Sequence, residues 1–126
     1  MKVIIAGSRG FNDYELLKKV CDEHLDGIDE FVIISGTARG ADKLGEDYAI
    51  ERGQSILRFP ADWDKWGKSA GYKRNEEMAQ VADMLIAFWD GESRGTKHMI
   101  DLATKYKLKT LVWQTKKENS QKGLLD

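Results

Sequence analysis

The chain has 126 residues, 41% of them hydrophobic and 33% charged, which suits one compact domain and leaves little room for a second. Its formal net charge of -1 gives no overall attraction to DNA, RNA or anionic membranes, so nucleic acid is not the expected partner. No apolar run reaches the roughly 18 residues of a membrane span, no signal segment is visible and the single cysteine cannot form an internal disulfide, so we expect a cytoplasmic protein.

Five short apolar runs divide the sequence. They are nearly continuous rather than alternating, which predicts strands buried on both faces of a sheet. Four stretches with helical spacing of apolar residues lie between them. The predicted strands are 3–6, 31–34, 56–59, 84–88 and 110–113, and the intervening helical patterns are carried by 16–25, 41–49, 78–82 and 99–106.

This regular alternation, with roughly 25 residues per unit, predicts a parallel sheet covered by helices on both faces, because right-handed crossovers leave few other solutions. We therefore expect an α/β protein with a Rossmann-like five-stranded parallel sheet in the order 3-2-1-4-5. Residues 1–114 would form this single domain. Residues 115–126 are polar, lack periodicity and read as a C-terminal tail.

Three polar, glycine-bearing loops follow the first, second and fourth predicted strands, and each opens onto a predicted helix. Such loops leave a parallel sheet at the carboxyl ends of its strands, so they converge on one rim, where the strand order reverses. Free N–H groups, hydroxyls and arginines there form a phosphate or nucleotide site. The candidate binding residues in these loops are Gly7, Ser8, Arg9, Ser35, Gly36, Arg39, Gly40, Asp42, Asp90, Ser93, Gly95 and Thr96.

Each loop also has a plain structural interpretation. The stretch from Gly7 to Gly10 can be a strand-to-helix turn, with Asn12 or Asp13 capping the next helix. It lacks the G-x-G-x-x-G spacing, and no acidic residue ends the second strand, so NAD chemistry is not expected and no cofactor is predicted. Asp42 fits two roles equally, interaction with the helix dipole or positioning of a ribose or water.

Other reactive side chains have mostly structural interpretations. Cys21 lies on an apolar helix face and reads as a packed thiol. No metal site is predicted, because His24 and His98 are the only histidines and neither has neighbouring ligands; His98 reads as a solvated helix residue. Trp63 and Trp66 suit a one-turn helix, with core or interface packing and ligand stacking both open.

Four motifs in order resemble the signatures of the SLOG superfamily, the Rossmann-like group that includes DNA-processing protein A and the lonely-guy phosphoribohydrolases. Its small YspA/YpsA-related branch also shares the stretches 60–63 and 70–71. The resemblance implies a nucleotide-like ligand such as ADP-ribose or a nucleoside monophosphate derivative, adds Arg74 and Asn75 to the binding residues and implies a homo-oligomer. The four motifs are Gly7-Ser8-Arg9, 35–42, Arg74-Asn75 and Ser93-Arg94-Gly95-Thr96.

The resemblance to the phosphoribohydrolases is incomplete. Arg74 and Met78 match the first half of their catalytic pattern, which makes Arg74 a candidate catalytic residue. The glutamate expected after the Gly-Thr pair is missing, because Lys97 follows Thr96, and nothing in the spacing selects a substitute among Asp90, Glu92 and Asp101. We therefore expect a sensor or sequestering protein, with N-glycosidic hydrolysis as the alternative.

A third hypothesis is that the chain handles single-stranded DNA, as the DNA-processing proteins do. Lysines between 65 and 73 could line a groove, with aromatic side chains of the same segment as stacking surfaces. Carboxylates alternate with these lysines and the chain is nearly neutral. This hypothesis is therefore placed below the small-ligand one.

Overall fold

The computed structural model describes residues 1–115, so the predicted tail lies outside the described residues from position 116 onward. Five strands and five helices follow one another along this part of the chain, and two of the helices lie in succession between the third and fourth strands, joined by a short 3-10 turn at Gly67–Ser69. The elements are β1 (Lys2–Gly7), α1 (Tyr14–Leu25), β2 (Val32–Ser35), α2 (Ala41–Glu51), β3 (Ser55–Arg58), α3 (Trp63–Trp66), α4 (Ala70–Val81), β4 (Met84–Trp89), α5 (Arg94–Lys105) and β5 (Lys109–Gln114).

The five strands form one parallel sheet in the order β3-β2-β1-β4-β5. The predicted α/β class and strand order are confirmed. The chain builds outward from β1 to β3, then crosses back and places β4 on the other side of β1. Gly7 pairs with Phe88 across that reversal, so the first and third polar loops leave the sheet side by side.

Two apolar layers, one on each face of the sheet, explain why the central strands are apolar at every position. In β1, Val3 and Ile5 pack with the buried faces of α1 and α2. The alternate residues Ile4 and Ala6 pack with α4 and α5. Since successive side chains point to opposite faces of a strand, a strand covered on both sides needs apolar residues throughout.

The two edge strands are more exposed than the sequence predicts. Leu57 in β3 is 38% exposed, and Val112 and Trp113 in β5 are each 44% exposed. The prediction of burial on both faces is therefore wrong for β3 and β5. The helices pack mainly over the central strands, and within residues 1–115 no helix follows β5 to cover it.

The helix starts are set by local chemistry. Asp13 begins α1, since its Oδ1 accepts the N–H of Leu16 at 3.1 Å, and Asp62 begins α3 in the same way through Lys65. Cys21 is fully buried on α1, and burial raises the pKa of its thiol to about 12, which keeps it protonated and unreactive. No helix among residues 1–115 is long and apolar enough to cross a bilayer.

Candidate ligand-binding cleft

A cleft of about 410 Å³ opens at the carboxyl ends of β1 and β4, where the strand order reverses. Its floor is apolar and includes Ala6, Met78 and Met99. All three polar loops and α4 contribute to its wall. The predicted site residues that line it are Gly7, Ser8, Arg9, Asp42, Arg74, Asn75, Asp90, Ser93, Gly95 and Thr96.

Ser8 holds the three loops together. Its N–H donates to the carbonyl of Phe88 at 3.1 Å, and its own carbonyl accepts the N–H of Ala41 at 3.4 Å. Its Oγ accepts the N–H of Asp90 at 3.3 Å. With its side chain buried and its polar groups bonded to neighbouring loops, Ser8 mainly fixes the shape of the cleft.

Two glycines allow these loops to approach each other closely. A Cβ on Gly7 would lie 2.3 Å from the carbonyl oxygen of Phe88, and one on Gly40 would lie 2.4 Å from that of Ser8. Gly40 also has a φ of 79°, a conformation that other residues rarely adopt. The need for glycine at these positions therefore comes from contact between protein backbones.

Arg74 brings a half-buried positive charge from α4 into the cleft. Its Nε donates to Oδ1 of Asn75 at 2.9 Å, and its Nη1 donates to the carbonyl of Gly36. Among residues 1–115 no carboxylate oxygen lies within 4.0 Å of the guanidinium. Burial lowers the pKa of Arg74, against the opposing attraction of Asp42. Several guanidinium N–H groups are left for an anionic ligand.

Asp42 is a buried carboxylate in the same cleft. It is 8% exposed, and its Oδ2 accepts the N–H of Ala38 at 3.1 Å. Burial raises the pKa of Asp42 to about 6, although the Ala38 hydrogen bond and the charge of Arg74 both oppose the rise. This carboxyl group can therefore exchange a proton near neutral pH, whereas the helix-dipole role alone does not require its burial.

The start of α5 differs in detail from the predicted cradle of free hydroxyls. Ser93 caps the helix, with its Oγ accepting the N–H of Thr96 at 3.3 Å and lying 2.9 Å from Thr96 Oγ1. The two hydroxyls therefore pair with each other. The N–H groups of Arg94 and Gly95 have no acceptor within residues 1–115, and Gly95 lines the cleft.

Asp90 shapes the third loop. Its Oδ1 accepts the N–H groups of Glu92 and Ser93, each at 2.8 Å. Burial would raise the pKa of Asp90, but these hydrogen bonds outweigh it and hold the pKa below the usual value. Three carboxylates were possible substitutes for the missing glutamate, and of these only Asp90 lines the cleft. Asp101 is 63% exposed and pairs with Lys97 at 3.0 Å.

Asn75 connects Arg74 to a histidine that sequence reasoning set aside. Its Oδ1 accepts from Arg74, so its Nδ2 must face Gly95 and His98, at 3.3 Å from the carbonyl oxygen and 3.2 Å from Nδ1. An amide N–H can only donate, so Nδ1 of His98 is the acceptor. Burial lowers the pKa of His98, and the ring of Tyr72 meets it edge-on at 4.6 Å. His98 is therefore half-buried and hydrogen-bonded, and less solvated than the sequence suggests.

Four of the predicted site residues lie outside the cleft. Ser35 is fully buried, where its Oγ donates to Glu46 at 2.6 Å and accepts the N–H of Thr37 at 3.0 Å. Gly36 stands behind Arg74 and accepts its hydrogen bond. Arg39 and Gly40 line a neighbouring pocket.

The short helix α3 presents an aromatic surface beside the cleft. Trp63 is 54% exposed and Trp66 is 43% exposed, so neither side chain packs in the core. Stacking on a ligand and packing at an interface between molecules both stay open for them. Lys65 and Lys73 place Nζ at 5.0 and 4.7 Å from the Trp66 ring centre. Both Trp63 and Arg74 come within 3.7 Å of a Cβ built on Gly71, so Trp63 lies near the cleft.

No group of three or more His, Cys, Asp or Glu side chains is arranged to hold a metal ion in the part of the chain that the structure describes. The fold and the cleft define a Rossmann-like α/β protein with a polar cleft where the strand order reverses. The model of the YspA, cpYpsA-related SLOG family matches residues 1–66. The gene 61 protein of Mycobacterium phage D29 is 35% identical over 111 residues, which are 82% of this chain and 89% of that protein. The chain therefore belongs to the YspA, cpYpsA-related SLOG family.

Two solved structures share the fold. DNA processing protein A from Streptococcus pneumoniae superposes with a TM-score of 0.72 at 16% identity, covering 96% of this chain and 53% of that one. DNA processing protein A from Helicobacter pylori, described in terms of its single-stranded DNA binding mode, gives a TM-score of 0.64 at 22% identity, covering 89% and 64%. The chain spans less than two thirds of either protein, and identities this low show the fold alone.

Proposed function

We propose that the chain binds a nucleotide-derived ligand, a nucleoside phosphate or an ADP-ribose-like molecule, in the cleft at the carboxyl rim of the sheet. The observation that carries this proposal is Arg74, which is half-buried with no carboxylate within 4.0 Å among residues 1–115. Asp42 attracts Arg74 only from beyond ion-pair distance, and burying a charge without a close partner is costly, so an anionic ligand offsets that cost. The planar guanidinium also matches the geometry of a phosphate.

The surroundings of Arg74 support a ligand with both a phosphate and an apolar part. The free N–H of Gly95 lies at the positive end of α5 and favours an anion. Met78 and Met99 offer an apolar surface to a base or sugar. The cleft volume of about 410 Å³ falls in the roughly 300–1,000 Å³ range of small-molecule sites.

The biological role that we propose is a sensor or a sequestering protein. We assign it to the cytoplasm and, on the family resemblance, expect a homo-oligomer. Native mass spectrometry of protein purified from cells, followed by denaturation, would identify a ligand that copurifies. A melting-temperature screen would then rank nucleoside phosphates and ADP-ribose, since a ligand at 100 times its Kd stabilises the folded state by about 2.7 kcal/mol. If no nucleotide raises the melting temperature at millimolar concentration, the proposal fails.

Hydrolysis of an N-glycosidic bond is a second candidate function, favoured by the placement of Asp42 beside Arg74. Both groups line the cleft, and they lie close together, since a Cβ built on Gly36 would be 2.8 Å from Asp42 Oδ2 and 2.9 Å from Arg74 Nη1. In the reaction, a water oxygen would bond to C1′ of the ribose and give its proton to Asp42. The bond to the base would break, and the base would leave with a proton from solvent.

Capture remains the leading proposal because, among residues 1–115, the cleft has no second carboxyl group that is available as a general acid. Asp90 is held by two backbone N–H groups, which favour its ionised form, so it is a poor acid for protonating the departing base. We therefore expect nucleoside monophosphates to be released unchanged or hydrolysed only slowly.

Binding of single-stranded DNA is a third candidate function, because the Helicobacter pylori protein of similar fold is described by its single-stranded DNA binding mode. The exposed rings of Trp63 and Trp66 could stack on bases, and Lys65 and Lys73 lie against Trp66. The formal net charge of -1 gives no extended attraction to a phosphate backbone. We therefore expect weak association with DNA and keep the small ligand as the main proposal.

A further inference from the structure

A second pocket, of about 480 Å³, lies next to the cleft on the side of α2. Arg9 and Gly10 line both cavities, so the two cavities adjoin at this loop. The other residues that line the second pocket are Phe11, Asn12, Arg39, Gly40, Lys43 and Leu44. None of the described residues lining it is acidic, and three are basic.

Two of these basic side chains have no close partner among the described residues. Within residues 1–115 the guanidinium groups of Arg9 and Arg39 form neither a hydrogen bond nor an ion pair. Lys43 contacts Asp47 at 2.5 Å, with the two side chains 63% and 39% exposed, and exposed pairs of this kind hold a lysine only weakly. The second pocket therefore has positive charge that no close carboxylate neutralises, with Arg9 attracting Asp42 only from beyond ion-pair distance.

The start of α2 adds backbone donors to the same pocket. Gly40 precedes this helix and has no side chain with which to cap it, in contrast to the aspartate that begins α1. Ala41 donates to Ser8 at 3.4 Å, but the N–H of Lys43, which lines the second pocket, has no acceptor within residues 1–115. Free N–H groups and the helix dipole favour an anion at this point.

We propose that the second pocket is an anion subsite that holds a second phosphate of the ligand bound in the cleft. This inference rests on the proposed function of the cleft, and it narrows the ligand class. The ligand is a small nucleotide derivative with at least two phosphates, one bound by Arg74 and Gly95 and the other by Arg39 and the start of α2. Arg9 lines both cavities and would contact both phosphates.

Inorganic phosphate tests the two subsites separately, without requiring the base to be known. In a ¹H–¹⁵N NMR titration of the full chain, the amide of Lys43 should shift saturably. Arg39→Ala should raise the Kd measured from this amide at least tenfold. The Gly95 amide should report the cleft and lose its response in Arg74→Ala.

The outcomes separate the two proposals, and Lys19→Ala, on an exposed position of α1, serves as the matched loss of one positive charge. If Gly95 responds while Lys43 does not, or if Lys19→Ala weakens the Lys43 response as much as Arg39→Ala, the second subsite is refuted and the proposed function stands. If no amide responds and no nucleotide binds, the proposed function fails as well. Calorimetry with AMP and ADP then checks the ligand class, because Arg39→Ala should remove any advantage of ADP over AMP.

Discussion

Replacing Asp42 with asparagine should make the protein more stable above neutral pH. Asparagine has nearly the same shape and keeps an oxygen to accept the N–H of Ala38, but it carries no charge. Burial raises the pKa of Asp42 from 3.8 to about 6, a net value that already includes the attraction of Arg74. At about 1.36 kcal/mol per pKa unit, ionising Asp42 in the folded state costs up to about 3 kcal/mol.

The sign of the pH dependence follows from the raised pKa. Below about pH 4 the folded carboxyl group is neutral, and the wild type lacks this penalty. As the pH rises toward and past 6 the penalty develops in full, so the advantage of Asp42→Asn should grow from near zero to a plateau. Because the new amide N–H groups need partners, the measured gain should fall below the full 3 kcal/mol, at about 1–3 kcal/mol.

Urea denaturation of both proteins at unit pH steps from 4 to 8 measures this difference. Asp101→Asn is the matched control, since Asp101 is 63% exposed and pairs with Lys97; its effect should stay within about 1 kcal/mol. An Asp42→Asn protein that is equally stable or less stable than the wild type at pH 8, or whose advantage does not change with pH, would refute the reasoning.

Three further predictions concern the loops, catalysis and DNA. In urea denaturation, Gly40→Ala should lower the free energy of unfolding more than Gly53→Ala does, and the difference should be at least about 1 kcal/mol. Both glycines have positive φ, but only at Gly40 would a new Cβ lie 2.4 Å from a backbone oxygen. Equal losses in the two variants would contradict this. Nucleoside monophosphates should remain intact by chromatography, and efficient release of free base that is abolished in Arg74→Ala would reverse the preference for capture. A labelled thirty-mer should show no sub-micromolar binding in fluorescence anisotropy at about 150 mM salt; tight, salt-sensitive binding would favour the DNA-handling alternative.

The fold could be predicted from the sequence because its signals are local and repeated. The stretch from Val3 to Ala6 is apolar at every position, which is what a strand between two helical layers requires. Regular alternation of strands and helices then restricts the topology. The exposure of Val112 and Trp113 could not be predicted, because it depends on how far the helices extend over the edge of the sheet.

The loops of the candidate site could also be located, but not the contacts within them. Strand ends fix where Gly7 and Ser93 lie, whereas the hydrogen bond from Arg74 to Gly36 joins positions 38 residues apart. The link between Asn75 and His98 likewise depends on α4 packing against α5. Separation of Arg39 from the central cleft follows from the close approach of Gly40 to Ser8, which no spacing in the sequence reveals.

The central claim is that Arg74 in the cleft binds the phosphate of a nucleotide-derived ligand. Isothermal titration calorimetry with the most stabilising nucleotide of the screen, applied to the wild type, Arg74→Ala and Lys19→Ala, tests it most directly. Loss of a charged hydrogen bond costs about 1.5–3 kcal/mol, so Arg74→Ala should raise the Kd roughly tenfold to a hundredfold. Lys19→Ala should leave the Kd unchanged, and circular dichroism should show that both variants are folded. Equal affinity in folded Arg74→Ala and the wild type would contradict the account.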